Sequence, residues 1–213
     1  MASGSRPMYS WGKRLFDYCA AAAGLLLLAP LLLAVAVAAW LGGLRPVLFW
    51  QWRTGYREQP FQVLKFRTMT QRTNAVGTLL PDAERLTPLG EWLRRTSLDE
   101  LPQLWNVLRG ELSLVGPRPF IHSYLPLYSE AQRVRFRVRP GLTGWAQVNG
   151  RNALSWEEKF ALDSWYVANQ SLALDLRILW RTLGRVLSGH AVSAAGHATT
   201  APFRGSKAAL GKE

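Results

Sequence analysis

The chain has 213 residues, enough for one domain of ordinary size or for a small domain plus a membrane segment. One cysteine (Cys19), three histidines without ligand spacing, and no GxxxxGK[ST] or GxGxxG exclude a disulfide framework, a Cys-built zinc site and the common glycine-rich phosphate cradles. With 26 Lys+Arg against 14 Asp+Glu, a net charge of +12 implies an anionic partner: nucleic acid, anionic lipid or a phosphorylated substrate.

The first segment along the chain is apolar. Between Asp17 and Arg45 lie 27 consecutive residues without a charge. A straight helix of that length reaches about 40 Å, against a hydrocarbon core of ~30 Å. Three readings are open: a spanning helix, a signal peptide (Lys13-Arg14, a leucine core, then Ala34–Ala36), and a re-entrant hairpin that enters and leaves on one face. Ala29-Pro30 stands in mid-segment, where proline removes a backbone bond and divides the run into arms too short to cross. Basic residues flank both ends, Arg6, Lys13 and Arg14 before and Arg45, Arg53 and Arg57 after. They give no orientation for a span and fit a segment whose two ends share one side.

Beyond Pro46 the pattern becomes strand-like. VLFWQWR (Val47–Arg53) and FQVLKFRTM (Phe61–Met69) flank a TGYREQP turn and predict a β-hairpin. Residues 70–86 read as loop with a short helix. Thr87-Pro88 predicts an N-cap with proline at the first helical position and a helix to about Arg95. In RRTSLDELPQLWNVLRGELSLVGPRP (Arg94–Pro119), leucines recur at helical spacing, Gly110 supplies a stop, and GPRP makes a stiff loop around Arg118. RVRFRVR (Arg133–Arg139) alternates strictly and reads as a half-buried strand with a cationic face or as the end of a helix, the period favouring the strand. Two amphipathic helices follow, about Ser155–Ala168 and Leu172–Leu187, the second with Leu172, Leu176, Leu179, Leu183 and Val186 on one stripe. The tail after Ser188 reads as irregular.

Asp99-Glu100 is the leading chemical candidate. Ser97-Leu-Asp-Glu100 also matches a capping box, so an acidic pair there has an ordinary structural use. At a helix start, however, such a pair lies where phosphate is attracted, and one carboxylate can hold Mg²⁺ with substrate phosphates while the other acts as a nucleophile. Arg118 offers a planar fork for phosphoryl oxygens, and Lys65, Arg67 and Arg94 add positive charge nearby in sequence pattern. Tryptophans interleaved with arginines (Trp50, Trp52 and Arg53; Trp180 and Arg181) fit a membrane–water interface better than a nucleic-acid groove, given the apolar segment.

The sequence resembles the bacterial sugar transferases, specifically the small monotopic polyprenyl-phosphate phosphoglycosyl transferases. The likeness is carried by KRLFD, the proline-broken apolar segment, PFQVLKFRTM, Arg94–Pro119, RPGLTGWAQVNGRN, WEEKFALDSWYV and LALDLRILWRTL. It implies transfer of a phospho-sugar from a UDP-sugar to polyprenyl (undecaprenyl) phosphate, releasing UMP. By position it makes Asp99 the nucleophile, Glu100 a residue that helps to hold Mg²⁺, and Arg118 the phosphate-binding arginine. Asp99 is a second candidate Mg²⁺ ligand, and Lys65 and Arg94 are further candidates for binding substrate phosphate. It also implies a re-entrant segment bent at Ala29-Pro30 in the bacterial inner membrane, with the catalytic domain on the cytoplasmic face. The family often has Ser-Pro at that break, and this chain has Ala-Pro.

The expectation is thus a mixed α/β protein. Residues 1–45 form a re-entrant helix-break-helix in membrane lipid. Residues 46–188 form a small catalytic domain with a short hairpin and amphipathic interfacial helices. Residues 189–213 form a tail. AGHAT…PFRG in that tail resembles family members that use UDP-linked N-acetylated amino sugars, which assigns His197, Thr199 and Arg204 to donor selection. No nucleic-acid partner is expected on this reading. The alternative is a non-enzymatic, membrane-tethered basic module that binds anionic lipid or nucleic acid.

Overall fold

The computed structural model describes residues 7–150, 153–187 and 202–205. It is a mixed α/β structure built on one long apolar helix, α1 (Pro7–Leu41). Next come β1 (Leu48–Thr54) and β2 (Pro60–Phe66), an antiparallel hairpin pairing Leu48 with Phe66 and Thr54 with Pro60. The predicted hairpin is present, with its strands shifted by one to three residues. Three short helices follow: α2 (Asp82–Arg85), α3 (Pro88–Thr96) and α4 (Gln103–Leu108). A small parallel pair, β3 (Ser113–Val115) with β4 (Gly141–Thr143), encloses α5 (Glu130–Arg133) in sequence. The described helices end with α6 (Trp145–Val148), α7 (Trp156–Asn169) and α8 (Leu172–Leu187).

α1 is one helical element with Pro30 inside it; the break expected at Ala29-Pro30 does not divide it into two helices. A single stripe of α1 is covered by the rest of the protein. Ala21 packs in the main core with Leu104, Val107, Leu112 and Ile178. Further along, Val35 packs with Phe66 and Leu93. Polar contacts hold the N-terminal part: Lys13 Nζ donates to Asp175 at 2.7 Å, and Asp17 accepts from Ser113 Oγ at 2.7 Å. Ala29 and Pro30 are exposed on the opposite side, together with Leu26, Leu27 and Leu33. Beyond Asp17 the helix is apolar all round, and with only one stripe covered the rest of it is left as exposed apolar surface.

RVRFRVR is not a strand. Ser129 and Gln132 form a capping box that opens α5, and Val134–Arg137 continue as a 3₁₀ turn. Both Arg135 and Phe136 are buried, where the expected half-buried strand would put them on opposite faces, one of them exposed. The α8 stripe also differs from a core stripe. Leu174, Asp175 and Ile178 turn inward, while Leu172, Leu176, Trp180, Leu183 and Val186 are exposed. Of the tail residues assigned to donor selection, His197 and Thr199 lie outside the described residues, and Arg204 is exposed. Next to Arg204, Phe203 is buried in an aromatic cluster with Tyr128, Phe136 and Phe160.

Candidate active site

Three elements converge on Asp99-Glu100. α3 begins as the sequence predicts, with Thr87 Oγ1 accepting from Gly90 N at 3.0 Å and proline at the first turn. Gly90 is required by contact: a Cβ there would stand 1.9 Å from the carbonyl oxygen of Thr68. That approach lets Arg94 Nε donate to Thr68 Oγ1 at 2.9 Å. α3 ends at Ser97, which is left-handed (φ 59°), and the chain turns directly into a 3₁₀ turn, Leu98–Glu100. Ser97 is therefore the C-cap of α3 and not the N-cap of a capping box, because an N-cap needs extended backbone.

The acidic turn is registered against the hairpin by Asn106 on α4, a residue the sequence reading passed over. Its amide oxygen accepts from Leu64 N at 3.0 Å, and its amide nitrogen donates to Gln62 O and to Glu111, both at 2.7 Å. The side chain is buried, so all these bonds are protected from water. With β2 held in this way, Lys65 Nζ reaches Glu100 Oε1 at 2.6 Å. Arg118 donates from two guanidinium nitrogens, at 2.5 Å to Oε1 and 3.1 Å to Oε2 of the same carboxylate. This is the fork-to-fork geometry of a strong charged pair.

The GPRP loop that carries Arg118 is anchored along its backbone. Gly116 N donates to Thr143 O at 2.9 Å, Pro117 O accepts from Gly141 N at 2.9 Å, and Phe120 O accepts from Thr54 N at 3.1 Å. Gly116 is needed here, since a Cβ would lie 2.4 Å from Arg139 O. Arg53, a second residue missed by the sequence reading, donates to Pro119 O at 3.4 Å. Burial, reinforced by the charge of Arg118, pushes its guanidinium down to about 10, and Glu100 opposes that shift. The signal for Arg53 was present in its position at the end of a predicted strand, but Pro119 is 66 residues away.

The two carboxylates have opposite electrostatic characters. Burial works against the charged form of Glu100, yet the charges and hydrogen bonds of Arg118 and Lys65 hold it well below the usual range. Asp99 is 8% exposed, and burial followed by the negative charge of Glu100 raises it to about 6. Lys65, Arg118 and Arg94 pull it the other way by charge. The site thus holds one permanently ionised carboxylate clamped by cations, beside a more basic carboxylate of the sort suited to attack. The structure brings together Asp99, Glu100, Lys65, Arg94 and Arg118. Arg67 is elsewhere, with its Nε on Pro46 O at 2.7 Å.

The bacterial sugar transferase family model matches residues 8–189. An uncharacterized sugar transferase, EpsL of Bacillus subtilis, is 51% identical over 194 residues, covering 91% of this chain and 96% of that protein. A UDP-glucose:undecaprenyl-phosphate glucose-1-phosphate transferase of Caulobacter vibrioides is 42% identical over 186 residues, covering 83% and 70%. A UDP-N-acetylgalactosamine-undecaprenyl-phosphate N-acetylgalactosaminephosphotransferase of Aeromonas hydrophila is 38% identical over 195 residues, covering 86% and 45%.

Proposed function

The chain belongs to the bacterial sugar transferase family, and we propose that it works by double displacement at Asp99, as a polyprenyl-phosphate phosphoglycosyl transferase. The enzyme class follows from the family and the named relatives, and it sets aside the non-enzymatic binding module. In the first step an Asp99 oxygen attacks the phosphorus that bears the sugar in a UDP-sugar. The P–O bond to UMP breaks, UMP leaves, and the phospho-sugar is held as an acyl phosphate on Asp99. In the second step a phosphate oxygen of undecaprenyl phosphate attacks the same phosphorus. The aspartate is released unchanged and undecaprenyl-diphosphate-sugar forms.

The observation that carries this reading is the contrast between Asp99 and Glu100. Glu100 is committed to Arg118 and Lys65, which leaves Asp99 as the carboxylate whose basicity is raised by burial. A nucleophile that is more basic than a surface carboxylate, but still ionised at neutral pH, suits displacement at phosphorus. Arg118 and Lys65 would transfer part of their hydrogen bonding to phosphoryl oxygens as charge develops there.

The donor set fits Mg²⁺ held jointly with substrate. Among the described residues there is no group of three or more His, Cys, Asp or Glu that could form a protein cage. Mg²⁺ is commonly bound by one or two carboxylates plus phosphate oxygens and water; Asp99 would supply one, and Glu100 a second once Arg118 and Lys65 turn to the substrate phosphates. When bound it would reduce the repulsion between an anionic nucleophile and a diphosphate.

One-sided membrane attachment is supported by the contacts of α1. Lys13 and Val35 both touch the same body of protein, although 22 residues of helix between them extend about 33 Å. A spanning helix would carry those two positions to opposite faces of the bilayer. The exposed apolar faces of α1 and α8, with Trp50 and Trp52, supply the surface for lipid contact. Attachment at the cytoplasmic face of the inner membrane puts the site where a soluble nucleotide sugar and a lipid phosphate meet.

The proposed donor is a UDP-linked N-acetylated amino sugar, preferred over UDP-glucose and UDP-galactose. Support comes from the tail motif and from Phe203, which is buried in the aromatic cluster that Phe120 packs against. The relatives named above include one glucose and one N-acetylgalactosamine enzyme, so the family admits both. The test is UMP release across a donor panel with undecaprenyl phosphate and Mg²⁺. Parallel double-reciprocal plots with one preferred N-acetylated donor support the whole reading. Intersecting plots remove the double displacement, and preference for UDP-glucose removes the donor assignment alone.

A further inference from the structure

Arg135 is buried to 3% exposure, and its counter-ion Asp163 to 1%. The pair meets at 2.9 Å between Arg135 NH2 and Asp163 Oδ2, and no described residue other than Arg135 donates to the Asp163 carboxylate. Rings surround the guanidinium: Phe120 at 4.4 Å, Phe160 at 5.4 Å, and Tyr128 and Phe136 at 5.8 Å from their centroids. A buried ion pair with an under-satisfied carboxylate is an expensive way to fill a core, and apolar residues of similar volume stabilise a fold at least as well. Such a pair calls for a function.

Its remaining contacts indicate one. Arg135 NH1 donates to the Tyr128 hydroxyl at 3.3 Å, and NH2 donates to the backbone carbonyl of Arg118 at 2.5 Å. In the GPRP loop, the carbonyls of Pro117 and Phe120 are held by backbone donors of β4 and β1. The carbonyl of Arg118 itself is held by this buried guanidinium. Pro117 and Pro119 have no N–H, so the backbone has fewer alternative ways to be held around Arg118.

We propose that Arg135, steadied by Asp163 inside the aromatic cluster, is a positioning residue that sets where the Arg118 fork meets a diphosphate. The inference rests on the reading of Arg118 as a phosphate-binding residue. Asp163 and the rings hold the Arg135 guanidinium in one place. The guanidinium holds the Arg118 carbonyl, and the carbonyl sets the start of the Arg118 side chain. Phe203 packs on Tyr128 and Phe160 in the same cluster, so the segment around Phe203 is attached to the device that aims Arg118.

The test is a double-mutant cycle on the full chain in detergent, read by calorimetric binding of UDP with Mg²⁺ and by the split between KM and kcat. Arg135→Lys retains the charge but loses the fork. It is expected to weaken UDP binding by about tenfold in the wild-type background and less than about twofold in Arg118→Ala. Equal losses in both backgrounds overturn the proposal, because Arg135 then acts by some route other than Arg118. UDP binding unchanged by Arg118→Ala overturns the assigned role of Arg118 itself, and the proposal falls with it. Should Arg135→Lys fail to fold, Tyr128→Phe removes one contact to Arg135 and keeps the ring. It is expected to weaken binding by about threefold in the wild-type background only, and an equal effect in Arg118→Ala contradicts the inference as well.

Discussion

Glu100 and Lys65, 35 residues apart in sequence, meet at 2.6 Å, and Arg118 closes on the same carboxylate with two guanidinium nitrogens. The protein therefore commits one acid of the pair to cations and leaves its neighbour, Asp99, with the higher basicity. This division of labour makes different predictions for the two acids. Asp99→Asn is expected to fold normally and to lose turnover by several orders of magnitude, since an amide is a very poor nucleophile. Glu100→Gln is expected to lose both activity and stability. It leaves Lys65 and Arg118 facing a neutral partner, and breaking a buried pair on one side costs roughly 3–5 kcal/mol. Thermal melts and UMP release on both variants separate these outcomes. Equal melting temperatures with equal activities contradict the division.

The raised Asp99 predicts a pH profile. With Asp99 near 6, the attacking carboxylate is ionised at pH 7.5 and is lost as pH falls through 6. Turnover with saturating donor is expected to fall about tenfold per pH unit below that point. Stability runs in the other direction. The folded form of Asp99 holds its proton over a range where the unfolded chain has released it, so this group disfavours folding above 6 and the penalty is relieved as pH falls towards 4. A rate that is flat from pH 7.5 to 5 contradicts the assignment of Asp99 as the attacking group.

Gly90→Ala tests the approach of α3 to Thr68. The added methyl has no space against a backbone carbonyl, so α3 must move away from the Thr68 strand extension. Expected results are a loss of about 1–3 kcal/mol in stability and a larger fractional loss in activity, because Arg94 and the Leu98–Glu100 turn move with α3. A variant with wild-type melting and turnover contradicts this account of the site's scaffold.

The attachment of both parts of α1 to one body predicts labelling on one side. Ser5→Cys and Ala75→Cys, each in a Cys19→Ala background, are expected to be shielded from a membrane-impermeant thiol reagent in intact cells. Pro30→Ala restores one backbone bond in a helix that is already continuous, and residue 5 is expected to stay shielded, because the contacts of Lys13 and Val35 hold α1 to one body. Labelling at residue 5 in the Pro30-containing protein establishes a spanning helix instead.

Removal of the chain after Ser188 is expected to lower activity and blur donor preference. Phe203→Ala should do much of the same while costing roughly 3–5 kcal/mol, as for other buried aromatics. A truncated protein with unchanged donor preference contradicts the role given to the tail.

Local signals made much of this fold legible in the sequence. Thr87-Pro88 started α3 as its cap chemistry requires, and the VLFWQWR and FQVLKF runs paired around a short tip. The Asp99-Glu100 pair and Arg118 were also readable, because GPRP stiffens its loop and the acids are adjacent. What could not be read depends on distant partners. Arg135 alternates with valine and phenylalanine as a strand residue would, but its position is decided by Asp163, 28 residues later. Asn106 looked like an ordinary polar residue on a leucine helix until β2 supplied its partners at Leu64 and Gln62. Pro30 looked like a divider of the apolar run, yet α1 carries it as an exposed residue in one continuous helix.

The central claim is a covalent phospho-sugar on Asp99, and intact mass measurement without acceptor lipid tests it most directly. Wild-type protein mixed with its preferred UDP-sugar and Mg²⁺ is expected to release about one UMP per chain in a burst. It should also gain the mass of one phospho-sugar, on the peptide that contains Asp99, and lose it again when undecaprenyl phosphate is added. Asp99→Asn should show neither burst nor added mass. UMP that forms only when the lipid phosphate is present, on a protein whose mass never changes, would contradict the account.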